Sequence, residues 1–299
     1  MSGTKGRPTN ANPTTGVPRR QLGRYLRDMR QAYGMSIRNA AKAIGVGDGT
    51  LQRLETGAAS VIHDEHLEAL CELYERPDML SALKALAAQG KKPNWWHQYG
   101  DVIPETFNLY VGLEAAAKDL HIYRPDLIPG LFQTQDYARA LDTLYFPDDT
   151  LPELERRIRV RRERQNLIMR KVSPVSVDLV VDEGVLRRVV GGPQVMSNQL
   201  RYLADMPANV RVRILPNSAG FPLGTATGPF ILLDFGVDSR GYPHEPPVVY
   251  VESYTGNIYL EQTESVRRYR KAFDVIHGVA LGVPDSKLLL RQTAKEYAR

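Results

Sequence analysis

The sequence is 299 residues long, 42% hydrophobic and 24% charged, with a net charge of +5 and a single cysteine. That composition is globular, and the length suits one large core or two ordinary ones. The lone thiol, Cys71, excludes an internal disulfide and a zinc site of several thiolates; no run reaches the roughly 20 apolar residues of a membrane span, and residues 1–8 lack a signal peptide's apolar stretch, so a cytoplasmic protein is expected.

The charge is unevenly placed. Residues 1–60 hold ten basic side chains against three acidic ones, which leaves a net −2 for the other 239 residues. A basic excess confined to a small region is the electrostatic footprint of a nucleic-acid-binding module.

Residues 1–18, rich in Thr, Asn, Pro and Gly without an apolar period, are expected to form a disordered tail. From Gln21 onward Leu22, Tyr25, Leu26, Met29 and Tyr33 recur at helical spacing and predict a first helix, which Gly34 stops. Ser36 is a good N-cap for a second helix with Ile37, Ala40, Ala41 and Ile44 facing inward. Gly45-Val46-Gly47 predicts a short turn. A third helix follows from about Asp48 to Glu55, with Leu51 and Leu54 inward and Gly57 as its end. The fourth carries Leu67, Leu70, Cys71 and Tyr74 and closes at Pro77. Asp78 is placed to cap a fifth, with Leu80, Leu83 and Leu86 inward. Gly90-Lys91-Lys92-Pro93 reads as a domain junction.

Beyond it the pattern is mixed. Helices are predicted over Glu105–Leu120, Thr134–Leu144, Leu151–Met169, Gln194–Asp205, Glu264–Leu281 and Pro284–Ala298. Short β-rich runs lie at Ser176–Val181, Val210–Leu215, Phe230–Phe235 and Val248–Glu252. The fold class this predicts is α+β. An all-α, five-helix domain over residues 19–90 precedes a mixed α/β C-terminal domain over 91–299 with one small sheet.

The short N-terminal helices fit a helix-turn-helix, in which the second helix crosses the DNA backbone and the third enters the major groove. Ala40, Ala41 and Gly45 are the small residues that such a close approach needs. The outward positions of the third helix are Asp48, Gly49, Thr50, Gln52 and Arg53. Gln and Arg can each make two hydrogen bonds to one base edge, and Arg38 is placed for a phosphate.

Residues 34–57, GMSIRNAAKAIGVGDGTLQRLETG, resemble the Cro/repressor-type helix-turn-helix, also called the xenobiotic-response-element family. Ser36, Ala40, Ala41, Gly45, Val46, Thr50, Arg53, Glu55 and Gly57 match its pattern. Ile37 departs from the usual Gln and removes a common DNA contact. Gly47-Asp48-Gly49 replaces the usual Ser-x-Ser and leaves Asp48 as the candidate cap of the third helix. The resemblance extends through Asn94–Asp101, Tyr110–Ala115, Pro129–Thr134, Gly191–Pro193, Val249–Glu252 and Tyr269–Phe273. These look like segments of an actinobacterial group of antitoxin-like regulators with a long C-terminal domain of unknown function. Over about residues 20–298 the resemblance implies regulation, often beside a small companion protein encoded nearby, and it implies no known ligand.

Trp95, Trp96 and Tyr99 follow the junction and are expected either to pack the two domains together or to line a partner or ligand pocket. The arginine run from Arg156 to Arg164 is expected as a solvated face that could alternatively grip DNA or an acidic partner, with Leu154, Ile158, Gln165 and Ile168 as the buried side. His63 and His66 lack a third metal ligand. Asp182 and Glu183, adjacent at a strand end, point opposite ways. The six histidines form no recognisable triad and there is no P-loop, so neither an enzyme nor a cofactor is expected. The expectation is therefore a homodimeric, sequence-specific regulator of double-stranded DNA, nucleoid-associated and without a membrane partner. A ligand-sensing regulator and an enzyme domain tethered to DNA are the alternatives.

Overall fold

The computed structural model of the chain describes residues 17–59, 61–80, 83–84, 87, 99, 102, 105–237, 245–254 and 256–299. The chain divides into two compact units, Met1–His97 and Gln98–Arg299. The junction expected at residues 90–93 lies outside the described residues.

In the first unit α1 spans Val17–Ala32, α2 Ile37–Ala43, α3 Asp48–Glu55 and α4 Asp64–Leu73. Helix α1 thus begins inside the segment expected as a tail, whose residues 1–16 lie outside the described ones. Leu22, Leu26 and Met29 of α1 meet Ala40, Ala41, Leu51, Leu54, Leu67, Leu70 and Cys71 in one core. Tyr25 and Tyr33, expected in the same stripe, are 38% and 44% exposed, so the buried stripe is narrower than the spacing suggested. Two glycines fix the crossing of α1 and α3. A Cβ on Gly23 would come within 2.6 Å of the Leu54 carbonyl oxygen, and one on Gly57 within 2.9 Å of Arg20 Cα. Gly57 also ends α3 at φ +72°, where a side chain would be strained. Helix α4 stops before Pro77, which instead opens a 3-10 turn, Pro77–Met79. Of the expected fifth helix, residues 80, 83, 84 and 87 are described, and all are helical.

The second unit contains α5 (Glu105–Ala116), β1 (Asp119–Arg124), α6 (Gln135–Tyr145), α7 (Leu151–Met169), β2 (Ser176–Asp182) and α8 (Glu183–Arg187). It continues with α9 (Pro193–Ala204), β3 (Val210–Leu215), β4 (Phe230–Asp234), β5 (Val248–Ser253), β6 (Gly256–Leu260), α10 (Thr263–Val279) and α11 (Val283–Tyr297). The strands form one six-stranded sheet in the order β3-β2-β1-β4-β5-β6. The first three are parallel, and β4, β5 and β6 add in antiparallel fashion. The α+β class expected from the sequence holds, with two more strands than expected. The helix expected to run to Leu120 stops at Ala116, and Asp119–Arg124 is the sheet's interior strand β1. Leu120, Ile122 and Tyr123 are all buried, so β1 lacks the alternation that marks a half-exposed strand. Strand β6 is a short edge strand with no fully buried residue.

Caps place the helices around the sheet. Thr150 and Glu153 form a capping box at the start of α7. Asp182 accepts from the Gly184 N–H at 2.8 Å and starts α8, so this carboxylate is a cap. One sheet face, with Tyr123, Val180, Phe230, Leu232 and Val249, packs against Phe273 and Ile276 of α10. On the opposite face Ile122, Ile231 and Tyr250 lie in register across β1, β4 and β5. There Tyr110 of α5 stacks on Tyr250 with ring centroids 4.2 Å apart. No helix among the described residues is long and apolar enough to cross a membrane.

Candidate functional site

Helix α2 starts at Ser36, whose hydroxyl accepts from the Asn39 N–H at 3.2 Å. The Val46 N–H reaches back to the Ala41 carbonyl at 2.9 Å and closes the turn before α3. The N-cap of α3 is Gly47, which supplies no side-chain bond, and Asp48 is the first helical residue. The expected Asp48 cap is therefore corrected: its carboxylate sits in the first turn, where it favours the helix dipole instead of holding an N–H. Leu51 and Leu54 are buried, while Gly49, Gln52 and Arg53 are exposed and Thr50 is half-buried. Arg53 Nη2 donates to Thr50 Oγ1 at 3.3 Å. Arg38 Nε meets Asp48 Oδ2 at 3.4 Å, with side chains 84% and 54% exposed. An exposed pair of that length is weak, so a phosphate can draw Arg38 away at little cost.

The basic surplus is partly internal. Arg30 donates through Nε and Nη2 to both carboxylate oxygens of Glu55, at 2.7 and 2.9 Å, and through Nη1 to the Met35 carbonyl at 2.8 Å. Arg27 donates to the Glu55 carbonyl at 3.0 Å and Arg19 to the Ala59 carbonyl at 2.9 Å. These arginines bind α1 to α3 and the segment after it. Arg38, Lys42 and Arg53 are the exposed cations of α2 and α3. This face offers polar forks and positive charge on a short helix, the chemistry of groove and phosphate recognition.

The second unit carries a half-open cavity of about 810 Å³. Its floor is the row Ile122, Ile231 and Tyr250, and the chain leaving β1 passes beside it through Asp126, Pro129, Gly130 and Gln133. Arg157, Arg161 and Arg164 of α7 face it, spaced four and three residues apart on one side of the helix. Each is held by a carboxylate. Arg157 Nε pairs with Asp149 at 2.5 Å, and the side chain also donates to the Val102 carbonyl. Arg161 engages both oxygens of Asp142, with Nη2 to Oδ1 at 2.7 Å. Arg164 donates Nε and Nη2 to Glu114 at 2.7 and 2.8 Å, and the Tyr110 hydroxyl donates to the same carboxylate at 2.7 Å. Burial, followed by the charge of Glu114, raises the Tyr110 hydroxyl well above its ordinary value, so it stays a neutral donor. Arg124 bridges Asp126 at 2.9 Å and Glu252 at 2.7 Å.

Residues 21–83 match a family described as a helix-turn-helix domain. Residues 107–292 match the domain of unknown function DUF5753. The chain belongs to the DUF5753 family. With its helix-turn-helix it is a DNA-binding regulator. Comparison with curated proteins finds no match, and comparison with solved structures finds none.

In the DUF5753 domain the solvated face expected for the arginine run is corrected for three of its members. Arg157, Arg161 and Arg164 line the cavity, whereas Arg159 and Arg162 are exposed. Tyr99 is buried, with the Arg156 guanidinium 5.9 Å from its ring centroid, and it is not part of the cavity lining. Trp95 and Trp96 lie outside the described residues. His63 is the N-cap of α4, and its ring lies edge-on to His66 at 5.1 Å. The acidic partners Glu114, Asp142 and Asp149 escaped the sequence reading because each is distant in sequence from its arginine. The spacing of the arginines 157, 161 and 164 was the visible signal for this charged side of the cavity.

Proposed function

We propose that this chain is a sequence-specific transcriptional regulator that works as a homodimer on the nucleoid in the cytoplasm. Helix α3 enters the major groove, where Gln52 and Arg53 read base edges, Gly49 and Thr50 sit close to the DNA, and Arg38 takes a phosphate. The supporting observation is the division of α3 into a buried side, Leu51 and Leu54, and an exposed polar side, Gln52 and Arg53. Eight residues of helix present few side chains to a groove, which favours two copies on two half-sites. The DUF5753 domain joins the copies, and it docks a small companion protein of the kind that the resemblance to antitoxin-like regulators implies. Its role is binding and not catalysis. The charged groups around its cavity are arginine–carboxylate pairs, and a guanidinium does not exchange protons near neutral pH. The cavity itself favours a second reading, in which the domain senses a small molecule.

The test is selection of the full-length chain against a pool of random duplexes, followed by sedimentation of the complex. The expected result is an enriched sequence with two related half-sites, about 10 base pairs or a multiple apart, carrying two chains. A pool that stays random overturns DNA reading. One chain on one half-site overturns the dimer.

A further inference from the structure

Besides the Tyr250 hydroxyl, the cavity in the DUF5753 domain carries two guanidinium donors with no acceptor among the described residues. Arg161 spends Nη1 and Nη2 on Asp142. Arg164 spends Nε and Nη2 on Glu114. Among the described residues, Arg161 Nε and Arg164 Nη1 have no acceptor. Both atoms lie beside Gly130. A Cβ built on Gly130 would lie 3.4 Å from Arg164 Nη1 and 3.8 Å from Arg161 Nε. Gly130, Arg161 and Arg164 all line the cavity. Because position 130 is a glycine, the space between the two guanidinium groups is left open.

The occupant's chemistry follows from the charges. Asp142 is 2% exposed and Glu114 fully buried, so each guanidinium is neutralised by its own buried carboxylate. Arg124 is shared between two carboxylates, Asp126 and Glu252. Among the described residues no positive charge in this wall is uncompensated, and a further anion would meet carboxylates already in place. An uncharged acceptor oxygen suits two such donors. Most of the remaining lining is apolar or aromatic, including Phe107, Ile122, Leu141, Val160 and Ile231, with Gln133, Ser253 and Asn257 as uncharged polar groups and Arg157 paired with Asp149. The volume lies within the range of about 300–1,000 Å³ usual for small-molecule sites. We propose that this cavity binds a small, uncharged, largely apolar molecule whose carbonyl oxygen accepts from Arg161 Nε and Arg164 Nη1 beside Gly130. The binding needs no DNA, so its failure leaves the DNA-reading proposal intact.

The test uses the full-length chain and Nile red, an uncharged aromatic dye with a ring carbonyl whose emission rises in apolar sites. Benzophenone and diphenylmethane then compete for the dye; they share a shape and differ by one carbonyl oxygen. Saturable dye binding is expected, with benzophenone displacing the dye at about tenfold lower concentration than diphenylmethane. Leu141→Trp, which fills the cavity from α6, should abolish dye binding and so locate the dye. Gly130→Ala puts a methyl group against both donor atoms and crowds an oxygen bound to them, at a backbone conformation that alanine accepts. Its thermal unfolding should match that of the parent, while the benzophenone advantage falls to about onefold on losing the hydrogen bonds. The proposal is overturned by non-saturable dye binding, by dye binding that survives Leu141→Trp, by equal displacement by the two competitors, or by an advantage that survives Gly130→Ala. Tighter binding of the anion 1-anilinonaphthalene-8-sulfonate than of Nile red would overturn the uncharged class.

Discussion

Arg30 of α1 grips both carboxylate oxygens of Glu55 of α3, at 2.7 and 2.9 Å, with side chains only 10% and 2% exposed. The pair ties the helix proposed to read DNA to the helix that opens the domain. Removing one partner strands a buried charge. Glu55→Ala should therefore lower stability by about 3–5 kcal/mol, whereas the double replacement Arg30→Met with Glu55→Leu should recover most of it. Urea unfolding followed by helical circular dichroism measures both. A double variant as unstable as the single one would show that the pair contributes more than the cancellation of its own charges.

Gln52 and Arg38 should fail differently. Gln52→Ala should cost about 1–3 kcal/mol and relax preference at one base position, as expected when a bidentate contact is lost. Arg38→Ala should weaken all duplexes alike and reduce the slope of log affinity against log salt by about one unit. Both side chains are exposed, so unfolding should move by no more than about 0.5 kcal/mol. Titration against the selected operator and a scrambled duplex at several salt concentrations separates the two effects. Unchanged affinity in both Gln52→Ala and Arg53→Ala would remove α3 from the interface.

The Tyr250 hydroxyl is buried without a hydrogen-bond partner among the described residues. Burial, followed by the charge of Glu252, pushes it up from its ordinary value, so it remains a neutral and unsatisfied group. Tyr250→Phe keeps the ring against Tyr110 and deletes the orphan. Stability should rise by about 1 kcal/mol, and a loss of that size in thermal unfolding would reveal a partner for the hydroxyl.

Asp178 and Asp234 contribute to the acid limb of stability. Burial alone would raise both carboxyls, but it is outweighed, at Asp178 by hydrogen bonds from Arg211 at 2.6 and 2.8 Å and at Asp234 by hydrogen bonds from His121 and Arg270. Both therefore sit below their ordinary value. Their unfolded counterparts take up protons first as pH falls, so their stabilisation is complete above about pH 4 and is lost below it. Arg211→Gln should flatten the fall in melting temperature between about pH 4 and pH 3, the window in which an unperturbed Asp protonates. A fall as steep as the parent's would take Asp178 out of the acid response.

Local chemistry made much of the first unit legible. Ser36 caps α2, Gly57 ends α3, and the inward leucines of α3 and α4 are buried, because each depends on neighbours within a turn or two. Strand β1 was not legible, since burial on both faces erased its period and joined it to the apolar end of α5. The cavity was visible only in fragments. Tyr110–Ala115, Pro129–Thr134 and Val249–Glu252, the segments that carried the family resemblance, each contribute residues to its lining, but nothing in their spacing says that they meet. The ion pairs Arg30–Glu55 and Arg164–Glu114 join residues 25 and 50 positions apart, beyond any periodicity in the chain.

Along α3 the side chains that hold the helix and those that face outward are different residues. Leu51, Leu54 and Glu55 are buried, whereas Gly49, Gln52 and Arg53 are not. Changes at the outward positions leave the anchoring intact, so the sequence preference proposed for this helix can be rewritten without rebuilding the domain. After gene duplication, two sister copies could part company over their targets through one or two substitutions here, each remaining as stable as its parent.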